Sequence, residues 1–140
     1  MIILDTNVLS EVSHPAPDSA VLTWMDAARV EELATTAITA AELLYGVTRL
    51  PGGNRKSSLT AAVHALITDD FQGRVEPFDT SAAVQYSALV HEREVLGRPI
   101  STADAQIAAI CRARGATLAT RNIKDFEDTG IELLNPWHAC

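Results

Sequence analysis

The sequence predicts an α/β fold, a parallel β-sheet of about five strands flanked by helices. Short apolar runs alternate with longer helical patterns along the chain. The stretches between those runs are long enough to carry right-handed crossovers between parallel strands. No internal repeat or low-complexity segment interrupts the alternation, which points to a single domain over residues 1–140.

The first strand is Ile2 to Asp5, an apolar run ending on a carboxylate and followed by Thr6 and Asn7. It reads as a buried strand with Asp5 at its C-terminal tip, and Asn7 is placed to cap a short helix. Asp18 to Ala28 follows Pro15 and Pro17 as a helix with Val21, Leu22 and Met25 on one face. Leu33 to Thr36 is the second strand. Ala40 to Leu50 is a helix carrying Leu43, Leu44 and Val47, and Pro51-Gly52-Gly53-Asn54 breaks it sharply from the next helix. That helix, Asn54 to Phe71, carries Leu59, Val63, Leu66 and Ile67. Arg74 to Phe78 is the third strand, followed by a helix over Ser81 to Leu96 with Val84, Leu89 and Val95. Thr102 to Arg114 carries Ile107, Ala108, Ile110 and Cys111, and Gly115 supplies its C-cap. Thr117 to Thr120 and Ile131 to Leu134 complete the strands.

Composition narrows the function classes. With 140 residues, 47% hydrophobic and 21% charged, the chain resembles an ordinary soluble globular domain. No apolar run reaches a membrane span, and Asp5 interrupts the initial apolar stretch before a signal-peptide pattern develops, so the expected location is the cytoplasm. A net charge of −7 argues against a general nucleic-acid binder. A nuclease whose acidic cluster is neutralised by bound cations partly escapes that objection. Cys111 and Cys140 lack metal-type spacing; the first reads as a small core residue and the second as a loose terminal one. His14, His64, His91 and His138 are scattered, which disfavours a histidine-based nuclease or a zinc site. No Gly-rich phosphate loop is present.

Four acids occupy related places: Asp5 at a strand end, Glu42 after the second strand, Asp104 at a helix start, and Asp125 after another strand. Taken singly, each has a structural reading. Thr39-x-x-Glu42 fits a capping box and Ser101-x-x-Asp104 a weaker one, Asp5 fits a strand-end Asx turn, and Asp125 fits a solvated loop acid. Their convergence on strand ends carries the functional reading. Carboxylates without histidine or cysteine make a hard oxygen site suited to Mg²⁺ or Mn²⁺. Such an ion polarises a phosphodiester and lowers the pKa of a bound water. Thr6 fits either a place near that ion or a helix-start hydroxyl, and Asn7 reads as structural. Arg121 and Lys124 beside the site fit phosphate contacts and ordinary surface charge equally; Trp24 and Trp137 read as core or interface.

Asp5-Thr6-Asn7, Thr39-x-x-Glu42-Leu43, Ala103-Asp104-x-x-Ile107-Ala108-Ala109, Thr120-Arg121-Asn122 with Asp125-Phe126, and Asn135-Pro136-Trp137 together resemble a PIN domain of the VapC branch, the toxins of bacterial type II toxin–antitoxin pairs. The resemblance runs in order over almost the whole chain. It implies a three-layer fold, Mg²⁺-dependent endoribonuclease activity leaving 5′-phosphate and 3′-hydroxyl ends, a VapB-like antitoxin and a homodimer. Carried over, Asp5, Glu42 and Asp104 are the core acids, with Asp5 and Asp104 the foremost metal ligands. One position departs from the pattern: FitB-type relatives often have an acid where Asn122 stands, and Asp125 is the candidate to supply the fourth carboxylate. Two other readings stay open. One is a haloacid-dehalogenase-like phosphatase using Asp5 as nucleophile, although Asn7 stands where that class places its second acid. The other is a partner-binding domain without catalysis.

Overall fold

Parallel strands covered on both faces need apolar residues on both sides, and this sequence supplies them in very short runs. The computed structural model describes residues 1–138, so Cys140 lies outside the described residues. The strands are β1 Ile2–Leu4, β2 Leu33–Thr36, β3 Val75–Glu76, β4 Thr117–Ala119 and β5 Leu133–Leu134. They form one parallel sheet in the order β3-β2-β1-β4-β5. Ile3 sits in register with Ala34 of β2 and Leu118 of β4. The third and fifth strands are shorter than the sequence predicts, with two residues each in place of five and four.

The helices are α1 Thr6–Val12, α2 Ser19–Ala27, α3 Ala37–Thr48, α4 Asn54–Ala65, α5 Thr80–Val95, α6 Thr102–Arg114 and α7 Ile123–Phe126. Strand side chains alternate between two covering layers. Ile3 and Leu118 pack with Leu89 of α5 and Ala108 and Ile110 of α6. Leu4 and Ala119 pack with Val8 and Leu9 of α1 and Val21 of α2. Sheet and two helical layers give the expected three-layer architecture. Among the described residues no helix is long and apolar enough to cross a membrane.

Several local expectations need correction. Asp5, not Asn7, caps α1, its Oδ1 accepting from the Thr6 N–H at 2.8 Å. Helix α3 starts at Ala37 instead of Ala40, because Thr36 at the end of β2 is already its cap and accepts from the Thr39 N–H at 3.1 Å. Glu42 therefore lies within the helix and the capping-box reading of Thr39 and Glu42 fails. Helix α4 ends at Ala65 and passes into a wider five-residue turn, Leu66–Asp70, before the buried Phe71. On α2, Val21 is buried but Leu22 is exposed. On α5, Val84 and Val95 are 63% and 72% exposed, so they do not form the core face. The inward stripe there is Ala82, Tyr86, Leu89 and Arg93, whose spacing follows the helical repeat. Gly115 caps α6 in the left-handed conformation at φ 62°, as predicted.

Candidate active site

Strand β1 lies between β2 and β4, so the chain order reverses beside it. A crevice at such a switch point, outside the carboxyl ends of the strands, is the usual ligand position in open α/β sheets. Asp5 is the first residue past β1 and is only 5% exposed. Its backbone N–H donates to the Ala119 carbonyl at 3.0 Å, continuing the β1–β4 ladder. Its Oδ2 accepts from the Thr120 hydroxyl at 2.8 Å and from Asn7 Nδ2 at 3.4 Å. Both donors are neutral, so Asp5 is oriented without being neutralised.

The other acids arrive from different elements. Glu42 projects from α3, and its Oε1 accepts from the Thr6 hydroxyl at 2.8 Å. Thr6 thus ties the start of α1 to the middle of α3. Asp104 occupies the first turn of α6, whose N-cap Ser101 accepts from the Asp104 N–H at 3.3 Å. The N-terminal end of α6 favours a negative charge there. Asp5, Glu42 and Asp104 line one cavity of about 470 Å³ together with Asn122, Arg121 and Trp137.

Electrostatics record this crowding. Burial raises the Asp5 carboxyl above its ordinary value; hydrogen bonds from Thr120 and the Thr6 N–H pull it down, and the charges of Glu42 and Asp125 push it up. Burial also raises Asp104, with Ser101 opposing and Asp5 and Asp125 adding to the rise. These acids act on one another through shared space. By contrast, burial pushes the Cys111 thiol up to about 12, which fits its reading as an inert core residue.

Asp125 does not line the main cavity. It is exposed on α7 and borders an adjoining depression with Asn122 and Lys124, close enough for its charge to act on Asp5 and Asp104. Asn122 takes the place at the cavity wall. Two supporting residues have roles other than those their sequence positions suggest: Thr120 does more than open the Thr120-Arg121-Asn122 motif, and Arg93, which its charge makes a candidate for a substrate groove, is buried. Thr120, fully buried, donates to Asp5 and accepts the Asn122 N–H at 3.1 Å. Arg93, 4% exposed, donates to the carbonyls of Arg98, Asp125 and Glu127 at 2.6, 3.0 and 2.8 Å. It therefore binds the turn before α6 to the end of α7, and its charge opposes the rise at Asp104. Thr120 could have been suspected from the pairing of strand tips, whereas nothing local marks Arg93 as buried. Asn7 is a strut, as expected: its Nδ2 donates to Asp5 and Thr120, and its Oδ1 accepts the Arg121 N–H at 3.2 Å.

The cavity lining is oxygen-rich: the carboxylates of Asp5, Glu11, Glu42 and Asp104, the hydroxyls of Thr6 and Ser10 and the carboxamides of Asn7 and Asn122, with the imidazole of His14 beside them. Among the described residues no three His, Cys, Asp or Glu side chains are gathered into a ready-made metal cage. The arrangement fits a hard cation that keeps much of its own water and takes one or two carboxylates, and does not fit a closed zinc site.

Fold and cavity together define an α/β protein with an acidic cleft at the carboxyl edge of a parallel sheet. Residues 2–132 match the family model described as PIN domain, and the chain belongs to that family. It is 41% identical over 137 residues to "VapC ribonuclease Y4jK" of Sinorhizobium fredii, covering 98% of each chain. It is 38% identical over 138 residues to "Toxin FitB" of Neisseria gonorrhoeae, covering 99% of each. The crystal structure of FitAcB from Neisseria gonorrhoeae superposes with a TM-score of 0.94 at 37% identity, over 99% of this chain and 100% of that one.

Proposed function

We propose that this protein is a Mg²⁺-dependent endoribonuclease toxin, a single PIN domain that a cognate VapB-like antitoxin neutralises. The observation that carries the reading is the convergence of Asp5, Glu42 and Asp104 from three separate elements on one cavity at the switch point. Its similarity to a VapC ribonuclease and to toxin FitB supports the chemistry, and its similarity to FitAcB supports the pairing with a second protein.

In this reading Asp5 and Asp104, joined by Glu42, hold Mg²⁺, with Mn²⁺ as a substitute. The ion when bound supplies an activated water and stabilises charge on the phosphodiester. The chain's own residues set the stage. Thr120 and Asn7 fix the Asp5 carboxyl from one side without adding a countercharge. Thr6 fixes Glu42. Ser101 and the first turn of α6 fix the backbone that presents Asp104. Asp125 contributes field from the adjoining depression and Asn122 a neutral donor–acceptor at the wall. Asn7 stands where the phosphatase alternative calls for a second acid, and here it donates hydrogen bonds to Asp5 and Thr120.

The test is cleavage of RNA by the purified protein with Mg²⁺, with a chelator, and by the Asp104→Asn variant. Cleavage with Mg²⁺ alone, leaving 5′-phosphate ends, and none in the other two arms is the expected result. Undiminished cleavage by chelator-treated Asp104→Asn protein overturns it.

A further inference from the structure

Four carboxylates line the main cavity, those of Asp5, Glu11, Glu42 and Asp104, yet its one guanidinium pairs with none of them. That group belongs to Arg121. Its carbon lies 5.0 Å from the centroid of the Trp137 ring, and Trp137 lines the same cavity. Arginines away from the cavity behave differently. Arg98 pairs with Asp128, Arg112 with Glu92, and Arg114 with Glu76 and Asp79.

The backbones of both partners are held. The Arg121 N–H donates to Asn7 Oδ1 at 3.2 Å, and the Trp137 N–H donates to Asn135 Oδ1 at 2.9 Å. The indole attracts the guanidinium through its ring face and leaves the in-plane N–H donors unused. An exposed cation kept from nearby carboxylates by an aromatic ring remains available for another anion. An RNA backbone entering this acidic cleft meets repulsion, and a planar guanidinium is the side chain best shaped to take a phosphate in two parallel bonds.

We propose that Arg121, backed by Trp137, is the phosphate anchor of the cleft, gripping an RNA phosphate beside the one that is cleaved. This rests on the ribonuclease reading above. Arg121 sets substrate affinity, and the acids carry the chemical step.

The test is binding of a fluorescent pool of random single-stranded oligoribonucleotides to the full chain carrying Asp104→Asn, with Mg²⁺, over a range of salt concentrations. Arg121→Ala is expected to weaken binding about tenfold and to reduce the slope of log affinity against log salt by about 0.7, one single-strand phosphate contact. Arg121→Lys is expected to keep the slope while losing part of the affinity. Trp137→Phe is expected to stay near the parent, and Trp137→Leu to fall toward Arg121→Ala. In the otherwise wild-type chain, Arg121→Ala lowers cleavage about tenfold at limiting RNA and less than about twofold at saturating RNA. Because Arg121 is exposed, its variants report on binding even if Trp137→Leu fails to fold. An unchanged affinity and salt slope in Arg121→Ala overturns the proposal, including the case where only inhibition by an antitoxin is weakened. A defect confined to saturating RNA also overturns it. If Asp104→Asn itself cleaves like wild type, the ribonuclease reading fails instead; if it is inert while Arg121→Ala binds unchanged, only the anchor fails.

Discussion

Two groups of carboxylates in this protein face opposite surroundings. In the cleft, Asp5 and Asp104 are desolvated beside other acids, and both hold their protons above the ordinary range. At the α5–α6 corner, Asp79 caps α5 and meets Arg114, which also grips Glu76 at 3.0 Å, while Glu92 meets Arg112 at 3.0 Å. There the Ala82 N–H and the Arg114 guanidinium hold Asp79 below its usual range, and Arg112 does the same for Glu92. The same functional group serves structure where a cation completes it. Where none does, it is left with an unmet demand for positive charge. The corner looks finished, and the cleft looks built for something the chain itself does not supply.

Matched changes test that contrast. Asp104→Asn is expected to cut RNA cleavage at least about 100-fold, equivalent to about 2.7 kcal/mol of lost transition-state stabilisation, measured with a labelled RNA. The same acid-to-amide change at Glu76 is expected to leave cleavage within about twofold. Arg114→Ala is expected to reverse the pattern, with near-normal cleavage and a Tm about 5 °C lower by calorimetry, because two acids lose their cation. Addition of Mg²⁺ at 100 times its dissociation constant is expected to stabilise the wild-type fold by about 2.7 kcal/mol, and to stabilise Asp104→Asn far less. Equal stabilisation of both would break the contrast.

The smallest expected effects are in pH dependence, where the two groups have opposite signs. Raised acids favour the fold fully below the ordinary carboxyl range, and that contribution is lost as pH rises through their raised values. Lowered acids contribute above the ordinary range, and their share is lost as pH falls through their lowered values. In metal-free protein, Asp104→Asn is expected to flatten the decline of Tm above about pH 4, and Asp79→Asn the decline below it. Thermal melts across that range check both.

The parts of the fold legible in the sequence were those governed by local signals. The buried run ending at Asp5, the Ser101 cap before Asp104 and Gly115 after α6 each declare themselves within a few residues. Glu42 sits one turn deeper in α3 than its sequence neighbourhood suggests, because Thr36 caps the helix directly from the end of β2. The inward face of α5 was hidden because its stripe contains a small Ala82 and a charged Arg93, while the conspicuous valines lie outside. Arg93 is buried because the nearby Arg98 carbonyl and two carbonyls from a distant segment, those of Asp125 and Glu127, receive it, and no pattern around residue 93 encodes that distant pair. Thr120 and Asn7 acquire their meaning only when β1 and β4 lie side by side. The candidate acids could be picked out from their sequence neighbourhoods; the particular hydrogen bonds by which Thr6, Asn7 and Thr120 aim them could not.

The cleft is assembled from the beginning and the far end of the same polypeptide, with Asp5 and Trp137 on its walls. On the ribosome these segments are separated in time by roughly 7 to 26 seconds at 5–20 residues per second. A growing chain that has made Asp5, α1 and Glu42 still lacks Asp104, the β4 tip and the Arg121–Trp137 rim. A cell making this protein thus has an interval in which it holds nascent chains with no completed cleft.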